Sequence, residues 1–224
     1  MAGIVSRQYR IRWFAMARKI HIHPTHPQER LLKQAAEVLR DDGLLILPTD
    51  SVYGLSCRMT ARDGQERLHR VRRDEPRHFL TLMCADLSSL ASLARVDNQA
   101  FRLLRQLTPG PFTFILQASK EIPRRILDPK RRTIGLRIPD HPVPQGLIAQ
   151  LGEPIMSATL TDPGLDVPLG DPDDLFDRYG AQVDLMLDAG ACGTEPTTVI
   201  DLSGEEPVLI RRGRGDVSRI FPED

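Results

Sequence analysis

Leu44-Leu45-Ile46-Leu47-Pro48-Thr49-Asp50-Ser51-Val52-Tyr53-Gly54-Leu55 reads as a buried strand running into a polar turn. Four successive apolar residues, 44–47, suit a short strand covered on both faces of a sheet. Pro48 ends it, because proline has no amide hydrogen for the ladder. The turn then offers hydroxyls at Thr49 and Ser51, a flat ring and a donor at Tyr53, and close backbone approach at Gly54. Polar groups just past a strand's carboxyl end are where open α/β sheets hold ligands. On spacing alone an ordinary polar turn reads the same way.

Outward from this stretch, strand and helix patterns alternate. Upstream, Ile20-His21-Ile22-His23 alternates as a half-buried or edge strand does. Thr25 with Gln28 resembles a capping box. The helix that follows carries Leu31, Leu32, Ala35, Val38 and Leu39 on one face and stops near Gly43. Downstream come a charged helix over 64–72, a buried strand at 80–84, and helices around 87–94 and 98–107. Strands at 113–118 and 133–138, a helix over 144–151 and a strand at 155–159 follow. One short helix in an acidic stretch and strands at 183–187, 197–201 and 207–211 complete the pattern. The alternation predicts an α/β (α+β) fold, a mixed sheet with flanking helices, as a single domain over 16–219.

Composition narrows the function classes. Thirty basic residues balance thirty acidic ones in 224, so whole-chain attraction to nucleic acid is not implied. Bases do crowd from Lys120 to Arg137, and acids from Asp162 to Asp188. Nothing approaches the ~18 uninterrupted apolar residues of a membrane span. Cys57, Cys84 and Cys192 contain no CxxC pair, so a disulfide framework and a cysteine zinc site are disfavoured and a reducing cytoplasm is expected. His21, His23 and His26 lack an acid or cysteine to complete a metal set, and only two of them share a strand face. Residues 1–15 carry three arginines and no acid ahead of Met16, and read as a disordered tail or a mis-assigned start.

Several residues stand out chemically. Arg70 and Arg72 would point the same way from an extended segment, with Arg77 and His78 shortly after. Such a cluster suits a phosphate chain; a solvated charged face paired with Asp74 and Glu75 is the plainer reading. Arg137 sits on an otherwise apolar strand and must find a buried acid or a ligand anion. Ser157 and Thr159 put two hydroxyls at the end of a buried strand, and no Walker A motif occurs.

In this order, PTDSVYGL (48–55), the basic segment 70–78, TPGPFT (108–113), TIGLRIPDHP (133–142), SAT (157–159), PTTVID (196–201) and LIRRG (209–213) resemble the YrdC/YciO family. The resemblance covers residues 20–215 and falls on the YciO side. It implies a twisted sheet around a large, basic, concave cavity. It implies synthesis of threonylcarbamoyl-adenylate, for tRNA modification, from threonine, bicarbonate and ATP, with Mg²⁺ and release of pyrophosphate. By the same resemblance Arg70, Arg72 and Arg77 or His78 serve the phosphates, and Thr49 and Tyr53 seat threonine. Arg137, Ser157, Thr197 and Arg211 then line the nucleotide region. The synthases carry Lys-x-Arg, a second Lys, and Ser-Ala-Asn; here stand Arg70-Val71-Arg72, Arg77 or His78, and Ser157-Ala158-Thr159. The alternative reading is a protein that binds tRNA or double-stranded RNA in the same cavity, with affinity falling steeply as salt rises.

Overall fold

In the computed structural model, described over residues 17–72, 80–160 and 168–222, the run at 44–47 forms strand β2 (Leu45–Leu47). Before it lie β1 (Arg18–His21) and α1 (Glu29–Arg40). After it come β3 (Gly54–Arg58), α2 (Arg62–Arg72), β4 (Thr81–Met83), α3 (Leu87–Leu93) and α4 (Asn98–Leu107). Next are β5 (Phe112–Gln117), β6 (Thr133–Arg137), α5 (Pro142–Leu151) and β7 (Ile155–Thr159). The chain closes with α6 (Pro172–Tyr179), β8 (Leu185–Asp188), β9 (Thr198–Asp201) and β10 (Val208–Arg211). The strands make one mixed sheet in the order β1-β8-β2-β3-β7-β4-β6-β5-β9-β10.

Register sorts the side chains between two faces, because cross-strand partners point the same way and neighbours along a strand point oppositely. On one face Leu45, Leu47, Met83, Ile155, Leu185 and Leu187 pack against Leu31, Leu32, Ala35 and Leu39 of α1 and Val143 and Leu147 of α5. On the other, Ile46, Leu55, Leu82, Phe114, Leu136 and Ile200 meet Leu68 of α2, Leu90 of α3, Leu104 of α4 and Leu175 of α6. Burying each such side chain contributes about 1.5–3 kcal/mol. Helices α1 and α5 cover only part of the first face. The remainder is left open by the described residues.

Strand β3 was not foreseen. It pairs antiparallel with both β2 and β7 and so sits inside the sheet. Gly54, Ser56 and Arg58 occupy its first face and only Leu55 and Cys57 the apolar one, so its composition gives a weak strand signal. The helix expected over 64–72 is α2, and Arg70 and Arg72 fall in its last turn, so they do not point the same way as they would from an extended segment. At α1 the capping box is absent. Gln28 occupies the N-cap without a side-chain bond, its Oε1 accepts the His23 N–H at 3.2 Å, and the Thr25 hydroxyl lies 3.0 Å from His26 Nδ1. Past the end of α1, Asp42 rather than Gly43 takes the left-handed conformation, φ 59°. Gly43 is needed because a Cβ there would stand 2.5 Å from the Val38 carbonyl oxygen. The expected tail at 1–15 lies outside the described residues.

Candidate functional site

The open part of the first face is floored by small and hydroxyl-bearing residues. Gly54 of β3 pairs with Thr159 of β7, Thr81 of β4 with Ser157 of β7 and with Gly135 of β6, and Gly135 in turn with Ile115 of β5. No bulky side chain rises from this row except Ile115, and a cavity of about 570 Å³ opens above it. A Cβ added at Gly54 would stand 2.9 Å from Ser157 Oγ, so glycine there gives the serine hydroxyl its room.

Eight of the sequence-predicted residues meet in this one cavity: Thr49, Tyr53, Arg72, Arg137, Ser157, Thr159, Thr197 and Arg211. They come from the β2–β3 turn, the end of α2, and strands β6, β7, β9 and β10 or the segments just before them. Three guanidiniums, of Arg72, Arg137 and Arg211, line the cavity, and no carboxylate does among the described residues. Arg70 is not among the lining residues. It is exposed, roughly 200° around α2 from the buried Arg72, since successive helical residues turn about 100°. Arg77 and His78 lie outside the described residues.

Arg137 resolves the question its burial posed. Its Nη2 donates to Asp50 Oδ1, and both side chains are 8% exposed. Burial lowers the guanidinium pKa, opposed by the charge of Asp50. Asp50 Oδ2 accepts the Asp140 N–H at 2.9 Å. Asp50 is thus a site-shaping residue that the sequence did not single out. The signal was present, because a lone buried charge on an apolar strand requires an acid somewhere.

Other predicted groups turn out to serve the protein itself. The Thr49 hydroxyl donates to Val52 O at 2.7 Å and accepts the Ser51 N–H at 3.2 Å, closing the turn locally. The Tyr53 hydroxyl donates to Gly190 O at 2.7 Å and accepts the Ala189 N–H at 3.2 Å. Burial, foremost, pushes the Tyr53 phenol pKa up, which keeps it a donor. The donor expected to face a ligand is therefore spent on the loop after β8, and the tyrosine contributes its ring to the cavity wall. Tyr53→Phe should lower stability by about 1–3 kcal/mol, the cost of leaving buried partners unpaired. Urea unfolding reads that loss, while ATP affinity should change less than about threefold; a larger change would return the hydroxyl to the ligand.

Arg211 Nε and Nη2 donate to Thr197 O at 3.2 and 2.9 Å. Thr197 Oγ1 lies 2.9 Å from Thr113 Oγ1. These contacts fasten β10 and the entry of β9 to β5 and aim a cation along the cavity edge. No helix among the described residues is long and apolar enough to cross a membrane.

Residues 37–213 match the family Sua5_yciO_yrdC, whose description reads "Telomere recombination". The uncharacterized protein YciO of Escherichia coli is 47% identical over 202 residues, spanning 90% of this chain and 98% of its own. The crystal structure of E. coli YciO matches with a TM-score of 0.89 at 46% identity, covering 92% of this chain and 100% of that one. At greater distance, the crystal structure of Pyrococcus abyssi Sua5 complexed with L-threonine matches with a TM-score of 0.80 at 26% identity. It is covered over 58% of its length, against 88% of this chain. The threonylcarbamoyl-AMP synthase of P. abyssi is 29% identical over 189 residues, 83% of this chain and 55% of its own.

Proposed function

The chain belongs to the Sua5/YciO/YrdC family, on its YciO side, and from that premise we propose that the cavity binds ATP and threonine and forms threonylcarbamoyl-AMP. The observation that carries this reading is the charge of the lining: three guanidiniums with no carboxylate among the described lining residues. Such a surface favours a polyanion, and each charge-assisted hydrogen bond supplies about 1.5–3 kcal/mol. The distant relatives named threonylcarbamoyl-AMP synthase, and the L-threonine complex of Sua5, support the choice of substrates.

The chemistry follows from charge. Threonine's amine and bicarbonate give a carbamate with loss of water. The carbamate oxygen is already anionic and needs no base to attack the α-phosphorus of ATP. The bond from that phosphorus to the bridging oxygen breaks, and pyrophosphate leaves with the electron pair. The protein's part is to align the reactants and offset negative charge. Arg72 and Arg211 serve the phosphates, Arg137 holds an anionic oxygen, and Ser157 and Thr159 supply hydroxyls. Mg²⁺ arrives with the triphosphate as part of the substrate, since the described lining offers it no carboxylate.

Turnover should be slower than in a synthase that carries Asn at the place of Thr159, because threonine presents one rotating hydroxyl instead of an amide. Thr159 lies across from Gly54, which has no side chain, so a longer group fits. Thr159→Asn should therefore raise product formation about tenfold, equivalent to ~1.4 kcal/mol in the transition state. No gain, with ATP still bound, would indicate a cavity rebuilt for another acceptor. The direct test is purified protein with ATP, bicarbonate and labelled threonine, scored for threonylcarbamoyl-AMP and pyrophosphate. Protein that binds neither ATP nor threonine would overturn the proposal.

A further inference from the structure

The cavity is lined by cations, yet a carboxylate is buried directly behind one of them. Asp50 in the β2–β3 turn and Arg137 at the end of β6 form an ion pair whose side chains are each 8% exposed. Asp50 uses its second oxygen for the Asp140 N–H at 2.9 Å. One carboxylate therefore joins the turn after β2 to the turn after β6. The turn is itself held from within, by the Thr49 hydroxyl on Val52 O and the Ser51 N–H on Thr49 Oγ1. The Arg137 Nε–H is buried and has no hydrogen-bond partner among the described residues. A buried donor without an acceptor is costly, and an incoming ligand oxygen would remove that cost.

We infer that Asp50 is a positioning residue, which fixes the Arg137 guanidinium so that its Nε–H meets a carboxylate or phosphate oxygen of the substrate. The inference rests on the reading of the cavity as an anion site. Asp50 has two effects, and they oppose one another. It orients Arg137, which favours the aligned complex. It also cancels one unit of positive charge, which weakens the general pull on any anion.

Asp50→Asn separates the two. The amide has a single acceptor oxygen, so its NH₂ group must face either an Arg137 N–H or the Asp140 N–H. The guanidinium is released while the cavity gains one net positive charge. Titration of the full chain with inorganic pyrophosphate and with ATP should show affinity held within about threefold or tightened. Turnover to threonylcarbamoyl-AMP should fall about 10²-fold, the penalty of a small misplacement. In ¹⁵N spectra of ligand-free wild type, the Arg137 Nε–H should be a sharp, slowly exchanging resonance that shifts on adding pyrophosphate. It should broaden or vanish in Asp50→Asn.

Parallel loss of affinity, turnover and melting temperature would make Asp50 a structural staple and overturn the inference. If Asp50→Asn does not fold, the wild-type resonance decides: free exchange of the Arg137 Nε–H means that nothing positions it. Wild-type protein that binds neither ATP nor pyrophosphate would remove the proposed function, and the same resonance would still judge the positioning.

Discussion

Arg137→Ala should lower the unfolding free energy by about 3–5 kcal/mol, the cost of leaving one member of a buried pair without its partner. Asp50 would remain in a site where its side chain is 8% exposed, with its charge no longer offset. For a domain of this size ~1 kcal/mol corresponds to about 2–4 °C, so the melting temperature should fall by roughly 6–20 °C. Calorimetry or urea unfolding reads the loss directly. The companion variant joins Arg137→Met with Asp50→Leu and removes both charges. It should recover most of the stability, because apolar residues of similar volume replace buried ion pairs at little net cost. It should not recover ligand binding. A loss under about 1 kcal/mol in the single variant would mean that water reaches the pair and screens it.

Arg72→Ala should weaken ATP by about 1.5–3 kcal/mol, roughly 10- to 150-fold in dissociation constant. Arg72 is 9% exposed, at the end of α2, and its guanidinium borders the cavity. A contact to phosphate in that setting is less screened than one at the surface. The built-in comparison is Arg70→Ala, two residues earlier on the same helix. Arg70 is exposed and outside the lining, so its loss should change affinity less than about twofold. Equal effects at both positions would point to long-range attraction rather than a contact, and added salt would then erase them together. An unchanged dissociation constant for Arg72→Ala in a calorimetric titration would remove Arg72 from the phosphate site.

Much of the scaffold was legible in local pattern. Helix α4 begins and ends at Asn98 and Leu107 as the periodicity predicts, and β7 spans Ile155–Thr159 as its apolar run does. These features depend on residues a few positions apart, which hydrophobic period and turn chemistry report directly. The sequence also marked eight residues of the cavity, chiefly through motif order: most stand at a strand end or an adjoining turn, Ser157 within β7 and Arg72 at the end of α2.

Tertiary structure decided what depends on distant partners. Whether Arg72 or Arg70 faces the cavity turned on the segment being helical, because an extended chain would have aligned the two. The character of β3 could not be read from its residues: Gly54 and Ser56 look weak for a strand until β2 and β7 are set on either side. The hydroxyls of Thr49 and Tyr53 looked available to a ligand, yet Tyr53 is engaged by a loop 136–137 positions away. Arg137 stated by itself that a buried cation needs an anion. Only the folded sheet, which brings residue 50 against residue 137, determined that the anion is Asp50 and that the buried Arg137 Nε–H has no partner among the described residues. Local sequence fixes periods and caps through neighbouring atoms, whereas the pairing of groups 87 positions apart depends on how the whole chain packs.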